Sequence, residues 1–496
     1  PMECRSISFR DLPRTTRLFM DFLYDFTRVA RFYSLDPCGT DSFARAAEKI
    51  TADTHLRAAV ADVLTEQNRA YGASPATQEN IEWLRTGRAL AVVTGQQPGL
   101  FTGPAYTIYK CLTAVRLAQH LTSERIPAAP IFWLAGEDHD LAEVNHCTVL
   151  DAQHRLRQIE HQPVVPPRMR VGEILLGESI TPLKQELRSL WMDSPEANEL
   201  DALLAAYEPG FTYAEAFARL LHRLFAGMGI IVINPLDPRL SRLAAPLLRR
   251  TLEQPEVWQS RLQERQRALQ RSGYHSQVHV REYATLLFLN VDGARQAIRS
   301  RGQNFQIADR GALSLAELLK ELDRYPERFT PNVLLRPVVQ DMLLPTVAYI
   351  AGPAEVAYFA QASTLYEALL GRMPVIVPRA SFTLVDATLE RLLNRYRLQP
   401  RDLVQAPGRV FMRMAEGCLP RGLERRLKTT EKKLERMLAG VASSIRRLDP
   451  TLAGAVETSR RKMFYQFHKL RGKAARASAA RHDLLERHLA MLTDSL

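Results

Sequence analysis

The segment Gly136-Glu137-Asp138-His139-Asp140 sets three carboxylates around one imidazole, and Glu143, Asn145 and His146 follow within six residues. An imidazole titrates near neutrality, and neighbouring carboxylates can be tuned toward it, so the cluster suits general acid–base work. Carboxylate and imidazole are also ligands for hard or borderline metal ions. A third reading is simpler: acids decorate a helix start, where the dipole favours them.

A second stretch, TGQQPGLFTGPAYTIYK (94–110), spaces three glycines four apart, with two prolines and two adjacent glutamines. Glycines at that spacing pack membrane helices, but Gln96, Gln97 and Pro98 rule out an apolar helix. The stretch reads as a loop leaving a strand and entering a helix. Gly95 and Gly99 are expected at positive φ or close to a ligand. Thr102 or Gly103 is expected to cap the helix, with Pro104 in its first turn. N–H groups at such a helix start hold a carboxylate or phosphate. Gln96 and Gln97 add neutral donors and acceptors, and Tyr106 and Lys110 share a helix face, which could bring an ammonium near the same anion. The spacing is neither the Walker pattern nor the dinucleotide fingerprint.

The third constellation is RPVVQDMLLPTVAYIAGPAEVAYFAQ (336–361). Arg336 and Gln340 are one helical turn apart. Gly352-Pro353 repeats the strand, Gly-Pro, helix order of Gly103-Pro104, and Glu355 and Tyr358 fall in the first turns that follow. Arg379, just after PVIVP, is a further clamp for carboxylate or phosphate. His275 and His279, four apart in strand-like sequence, would sit roughly 13 Å apart, too far for one metal, and are read as structural.

These groups need a scaffold. Short apolar runs at 90–94, 130–135, 229–234, 346–351 and 374–379 read as buried strands, and the stretches between several of them read as helices. RALAVVTG, a helix over 104–121 and PIFWLAG make one βαβ unit. The fold class is therefore α/β: a Rossmann-like parallel five-stranded core with two inserted connective segments and a C-terminal antiparallel α-helical coiled coil. The divisions are residues 1–89, a helical part packed on the core; 90–150, first half of the core; 151–208, a Pro-rich insertion; 209–272, core continued, with one long helix over 238–270; 273–330, a second insertion of antiparallel strands; 331–418, second half of the core; and 419–496, a dimerisation domain. In that last segment Leu427, Leu434, Leu438, Val441, Ile445 and Leu448 step as a heptad seam. Asp449-Pro450 then caps a second, longer helix. The two helices fold back as a hairpin in preference to running on through a kink, and Met463, Phe464, Phe467 and Leu470 offer an apolar surface to a second copy.

Composition narrows the class. At 496 residues the chain is too long for one core, and its 46% apolar content is that of a soluble protein with no apolar run of membrane length. The start lacks an apolar leader, and Pro1 before Met2 reads as a trimmed beginning. Cys4, Cys38, Cys111, Cys147 and Cys418 are scattered and contain no CxxC, which argues against a disulfide scaffold or structural zinc and for a reducing cytoplasm. Of the net charge of +12, ten units lie in residues 421–496, which hold 18 Lys and Arg against 8 Asp and Glu. A solvated helical face explains that charge more simply than nucleic acid, which stays as an alternative partner.

Together the three motifs resemble one family, the cysteine-adding BshC proteins of bacillithiol biosynthesis, over nearly the whole chain. The resemblance implies the Rossmann-like core, the two connective insertions and a dimerising coiled coil. It implies ligation of L-cysteine, through its carboxyl group, to the amine of glucosaminyl-malate. Family members run beyond Leu496, so the distal end reads as trimmed. The core also resembles class I adenylate-forming enzymes, whose HxGH and KMSKS signatures are absent, which leaves the activation chemistry open. Amide formation from a carboxylate is uphill in water, so ATP with Mg as counter-ion is expected, through an acyl-adenylate or an acyl-phosphate. Glu137, Asp138, His139 and Lys110 are the catalytic candidates. Thr94, Gly95, Gln96, Gln97, Gly99, Thr102, Gly103, Tyr106, Asn145, Arg336, Gln340, Gly352, Glu355, Tyr358 and Arg379 are the substrate-binding candidates. A metal-dependent hydrolase or amidase built on GEDHD, and a nucleic-acid-binding coiled-coil scaffold, are the competing readings.

Overall fold

Five short apolar runs become the five parallel strands of one sheet. They are β1 (Leu90–Gln96), β2 (Ala128–Leu134), β3 (Ile231–Ile233), β4 (Thr346–Ala351) and β5 (Val375–Pro378), in the spatial order β5-β4-β1-β2-β3. The computed structural model describes all residues except 1–2, 52, 193–194, 303, 405–406, 418, 480–483 and 496, so Cys418 and both chain ends lie outside the described residues. β2 and β4 are buried along their whole length, as expected for parallel strands covered on both faces. After β1 the chain moves outward to β2 and β3, then returns to the other side of β1 for β4 and β5. The strand order therefore reverses at the β1–β4 boundary, where open α/β sheets leave a crevice at the strands' carboxyl ends.

Two helices rise from that boundary. α1 (Tyr106–Ser123) buries Cys111, Ala114, Val115, Ala118 and Leu121, a stripe at helical spacing. α3 (Pro353–Leu369) follows β4 and is buried nearly all round, from Val356 to Tyr366. Between insertion two and β4 lies α2 (Arg336–Leu343). The expected long helix over 238–270 is two, Pro238–Glu253 and Pro255–Arg271, because Gln254 leaves helical geometry and Pro255 starts a new first turn.

The outer edge of β3 is closed by side chains. Asn68 Nδ2 donates to Val232 O and its Oδ1 accepts from Val232 N, both at 2.8 Å. Gln67 does the same to Asn234, at 3.0 Å each way. Two amides on the helix Thr54–Ala70 thus continue the ladder and leave less of the edge free for foreign strands.

Insertion two is a five-stranded antiparallel sheet, Ala284–Val291, Ala294–Arg301, Asn304–Ile307, Gly311–Ser314 and Phe329–Pro331. His275 and His279 precede it in a loop, not in a strand. Insertion one carries the helices Ile180–Ser189 and Ala197–Leu204, with little strand.

The described residues fall into two compact units: 16–149 with 157–382, and 3–15 with 150–156 and 383–495. In the second unit, α4 (Arg421–Leu448) and α5 (Ala453–Ala479) are joined by a short turn in which Asp449 Oδ1 caps Thr451 N at 2.8 Å. Glu431 meets both His468, at 2.7 Å, and Arg471, at 3.5 Å, so the helices run antiparallel as a hairpin. α5 is no longer than α4 over the described residues. Met463 and Leu470 are exposed, whereas Phe464 and Phe467 are half-buried beside His468.

Candidate functional site

The three motifs leave the carboxyl ends of three adjacent strands. GEDHD follows β2, the Gly-rich loop follows β1, and Gly352-Pro353 follows β4. Hydrogen bonds knit them together. Leu100 N donates to Val144 O at 2.8 Å, and Gln97 Nε2 donates to Asp138 Oδ2 at 3.1 Å. Lys110 Nζ lies 2.6 Å from Glu355 Oε2, joining the second turn of α1 to the first turn of α3.

The Gly-rich loop departs from expectation in detail. Gly99 has φ −77°, and Gly95 lies within β1 outside the positive-φ residues, so neither takes the left-handed region. What both positions require is the missing Cβ: at Gly95 it would sit 2.9 Å from Trp133 O, and at Gly99 2.9 Å from Gly103 Cα. The left-handed residues are Phe101, Thr102 and Gly103, at φ 48°, 80° and 63°. Neither Thr102 nor Gly103 caps α1; that position is Ala105, and no side chain bonds there. Thr102 Oγ1 donates instead to Gly103 O at 3.3 Å.

Lys110 is buried, and its ammonium also donates to Gly95 O at 2.8 Å and Gln96 Oε1 at 3.0 Å. With Glu355, that engages all three of its protons. Glu355 is the hub. Its Oε2 accepts from Gly352 N at 2.6 Å, and its Oε1 from Tyr349 OH at 2.9 Å and Tyr358 OH at 3.4 Å. Arg336 closes the network with bonds to Tyr358 OH at 2.9 Å, Gln340 Oε1 at 3.3 Å and Tyr349 OH at 3.4 Å. Burial disfavours the Arg336 cation, but Tyr358, Tyr349 and Glu137 outweigh it and hold it charged. Arg379 lies over the Tyr106 ring, 5.3 Å from its centroid, beside Gly352, and its Nη1 donates to Ser381 Oγ at 2.8 Å. Burial lowers its affinity for the proton, against Glu355 and the tyrosines Tyr106 and Tyr109.

On the GEDHD side no helix follows. A 3₁₀ turn over Leu141–Glu143 leads into the strand His146–Leu150, which removes helix capping as the reason for the acids. Glu137 is buried, and burial raises its pKa against the opposing field of Arg336, Arg295 and Arg170. Asp138 Oδ1 accepts from His139 N at 2.7 Å and from Arg295 Nη1 at 3.4 Å, and His139 Nδ1 lies 3.4 Å from the same oxygen. Asp138 is thus fixed from three directions with an imidazole beside it, and His139 is about one-third exposed, at 36%. Among the described residues no three His, Cys, Asp or Glu side chains converge to hold a metal ion.

Three expected contacts sit behind the site rather than in it. Thr94 is fully buried and its hydroxyl donates to Ile350 O, at 3.1 Å, across the β1–β4 boundary. Gln340 is buried between Arg336 and Asp341. Asn145 is buried against Glu160 and His146. Conversely, Arg295, Arg170, Tyr349 and Trp133 were not singled out from sequence. Arg295 is buried and held by Thr330 and Pro331, with the Phe288 ring 3.8 Å away. Arg170 pairs with Glu173 and donates to Glu327 O at 3.0 Å. Among the described residues the buried Trp133 indole N–H has no acceptor, and Trp133 lines a cavity of about 30 Å³ with Glu137 and Arg170. Nothing local marks the two arginines, because each comes from an insertion and meets the loop only in the folded chain.

The family model "Bacillithiol biosynthesis BshC, N-terminal Rossmann-like domain" matches residues 2–380, and "Bacillithiol biosynthesis BshC, C-terminal coiled-coil domain" matches residues 382–496. A protein of Solibacter usitatus is 40% identical over 481 residues, covering 97% of this chain and 89% of the relative. One from Koribacter versatilis is 38% identical over 490 residues, covering 99% and 91%. A third, from Salinibacter ruber, is 36% identical over 475 residues, covering 94% and 86%. All three bear the name "Putative cysteine ligase BshC". With the Rossmann-like sheet, the helical hairpin and both family models in agreement, the chain belongs to the BshC family of bacillithiol biosynthesis, a family of ligases.

Proposed function

We propose that this chain joins L-cysteine, through its carboxyl group, to the free amine of glucosaminyl-malate, with ATP activating the carboxylate. The observation that carries the reading is the meeting of three motif loops at the β1–β4 switch point, with two helix starts bridged by Lys110 and Glu355. A polar crevice of this kind meets three demands of the reaction.

The first is a cradle for phosphates. The 95–104 loop and the starts of α1 and α3 supply backbone N–H groups and the positive ends of two helix dipoles. The second is cationic charge that is not already consumed. Arg379, whose guanidinium bonds Ser381 Oγ and Ala380 O and lies over the Tyr106 face, with no carboxylate within ion-pair distance among the described residues, fits this task. Arg336 adds its field from behind, while Lys110 is committed to Glu355 and holds the crevice together. The donor set thus fits a nucleotide; when bound, ATP would supply the activating group, and Asp140 and Glu143, both exposed, would face the hydrated Mg that accompanies it.

The third demand is a base for the attacking amine. His139, backed by Asp138, takes that role, because Asp138 in turn is held by Gln97 and Arg295. Holding amine and acyl carbon in line would account for about 7–11 kcal/mol of the barrier. The metal-hydrolase reading is weaker, since the carboxylates of Glu137 and Asp138 face arginines. The same proposal places the enzyme in a reducing cytoplasm, where Cys4, Cys38, Cys111 and Cys147 stay free thiols, and pairs two copies through the exposed face of the hairpin.

The test is direct. Purified protein with cysteine, glucosaminyl-malate and ATP is expected to form a thiol product of the mass of the condensed pair, with stoichiometric loss of ATP. Product formed equally without ATP, or no product and no ATP turnover, would refute the proposal.

A further inference from the structure

A larger cavity, of about 490 Å³, lies between the sheet of insertion two and the helix Pro255–Arg271. Small-molecule sites occupy about 300–1,000 Å³. Trp258, Leu262 and Ile298, all buried, form an apolar floor. Arg281, Arg299 and Arg301, all exposed, line the mouth, where Glu282 is the acid. Among the described residues none of the three guanidiniums has a carboxylate partner within ion-pair distance.

The opening is built into the backbone. Ala284 pairs with Arg299, yet Phe288 pairs with Ala297, so the strand bulges away from its neighbour between those points. Tyr283, at the base of the bulge, holds φ 62°, a conformation an aromatic residue rarely takes.

The walls are shared with the site. Phe288 lines the cavity and stacks on Arg295, which holds Asp138. Asn332 lines it and accepts from Leu334 N and Leu335 N at 3.0 Å, positioning the start of α2 and therefore Arg336. Val278 lines it and exchanges two 2.8 Å hydrogen bonds with Gln361 of α3, the helix that carries Glu355.

We propose that this cavity is a second binding site, for a small anionic molecule with a flat apolar body, and that its occupant is an effector of the crevice. The ring system lies on the Trp258 floor and the anion in the arginine fork, whose planar donors fit carboxylate, phosphate or sulfonate. The probe is 8-anilinonaphthalene-1-sulfonate, titrated into the full chain and read by its emission, with neutral N-phenyl-1-naphthylamine as control. Saturable binding of one sulfonate per chain is expected. Arg299→Glu is expected to weaken the sulfonate at least tenfold and the neutral probe less than threefold. Ala297→Trp, which fills the cavity, is expected to lose both. Arg299 is exposed, so its variant keeps the test sound should the filled variant fold poorly. Displacement by phenyl phosphate assigns a phosphate ligand, and displacement by benzoate a carboxylate. Displacement by neither, or an Arg299→Glu variant that binds the sulfonate unchanged, would overturn the site. The effector role is read separately, as a shift of at least threefold in ATP affinity at saturating probe, and no shift overturns that role. Only this last arm rests on the ATP reading; probe binding needs no nucleotide and no turnover.

Discussion

Breaking the Lys110–Glu355 pair measures how firmly the two helix mouths are joined. At 2.6 Å and an effective dielectric near 20, the gross attraction is about 6 kcal/mol. Taking both ions out of water costs several kcal/mol each, partly repaid by the remaining hydrogen bonds. Lys110 keeps Gly95 O and Gln96 Oε1, and Glu355 keeps Gly352 N and Tyr349 OH. A net coupling of about 2–4 kcal/mol is therefore expected. The assay is a double-mutant cycle, Lys110→Met, Glu355→Gln and both together, with urea unfolding followed by tryptophan fluorescence. Each single variant is expected to cost about 3 kcal/mol, because it strands a buried polar partner, and the double variant much less than their sum. Additivity within about 0.5 kcal/mol would refute the view that this pair holds the crevice.

Other contacts of the fold can be tested in the same way. Glu137→Gln should stabilise the protein at neutral pH: burial raises the folded carboxyl pKa, so the folded state binds the proton more tightly, and wild-type stability falls as pH rises from the ordinary carboxylate value through the folded one. The gain should vanish below pH 4 in thermal melts, and a constant gain at every pH would contradict the cause given. Asn68→Ala removes both ladder bonds to Val232 and the acceptor of His222 Nε2, and should cost about 3 kcal/mol in urea unfolding; a loss under 1 kcal/mol would mean the edge of β3 is sealed otherwise. Separately, burial pushes His222 down to about 4, so the fold loses stability as pH falls from about 6.5 to 4, which thermal melts across that range check. Gly95→Ala drives a methyl group to 2.9 Å from Trp133 O and should cost about 1–3 kcal/mol, with loss of ligation beyond what unfolding explains; an unaffected melting temperature would show that the strands yield more easily than their packing suggests.

Much of the scaffold was legible because buried parallel strands leave short β-branched runs that are hard to mistake. Val92, Val93, Ile131 and Val347 mark the sheet without any partner in view. Gly352-Pro353 likewise announced a helix start, with Pro353 at its first position, whereas Pro104 falls just before the Ala105 cap of α1, which begins at Tyr106. Proline punctuation was less informative where it fell inside helical sequence: Pro246 stays within the helix Pro238–Glu253, whereas Pro255 begins a new one. The Gly-rich loop was misread in its dihedrals because a glycine demanded by close approach and one demanded by positive φ look alike in sequence. Lys110 read as a free cation because its acceptors are a backbone carbonyl, a side-chain amide oxygen and a carboxylate 245 positions away in the chain. Arg170 and Arg295 were invisible for the same reason, being set by how each insertion folds back onto the 136–138 loop.

The central claim is that one crevice, at the β1–β4 switch point, holds the activated carboxyl group. A crystal of the full chain soaked with a non-hydrolysable ATP analogue and cysteine, with phosphorus and sulfur located by anomalous scattering, tests it most directly. The account predicts phosphates against the 95–104 loop and Arg379, and the cysteine sulfur within reach of the 137–139 loop. Phosphates bound elsewhere, with the crevice holding neither molecule, would contradict it.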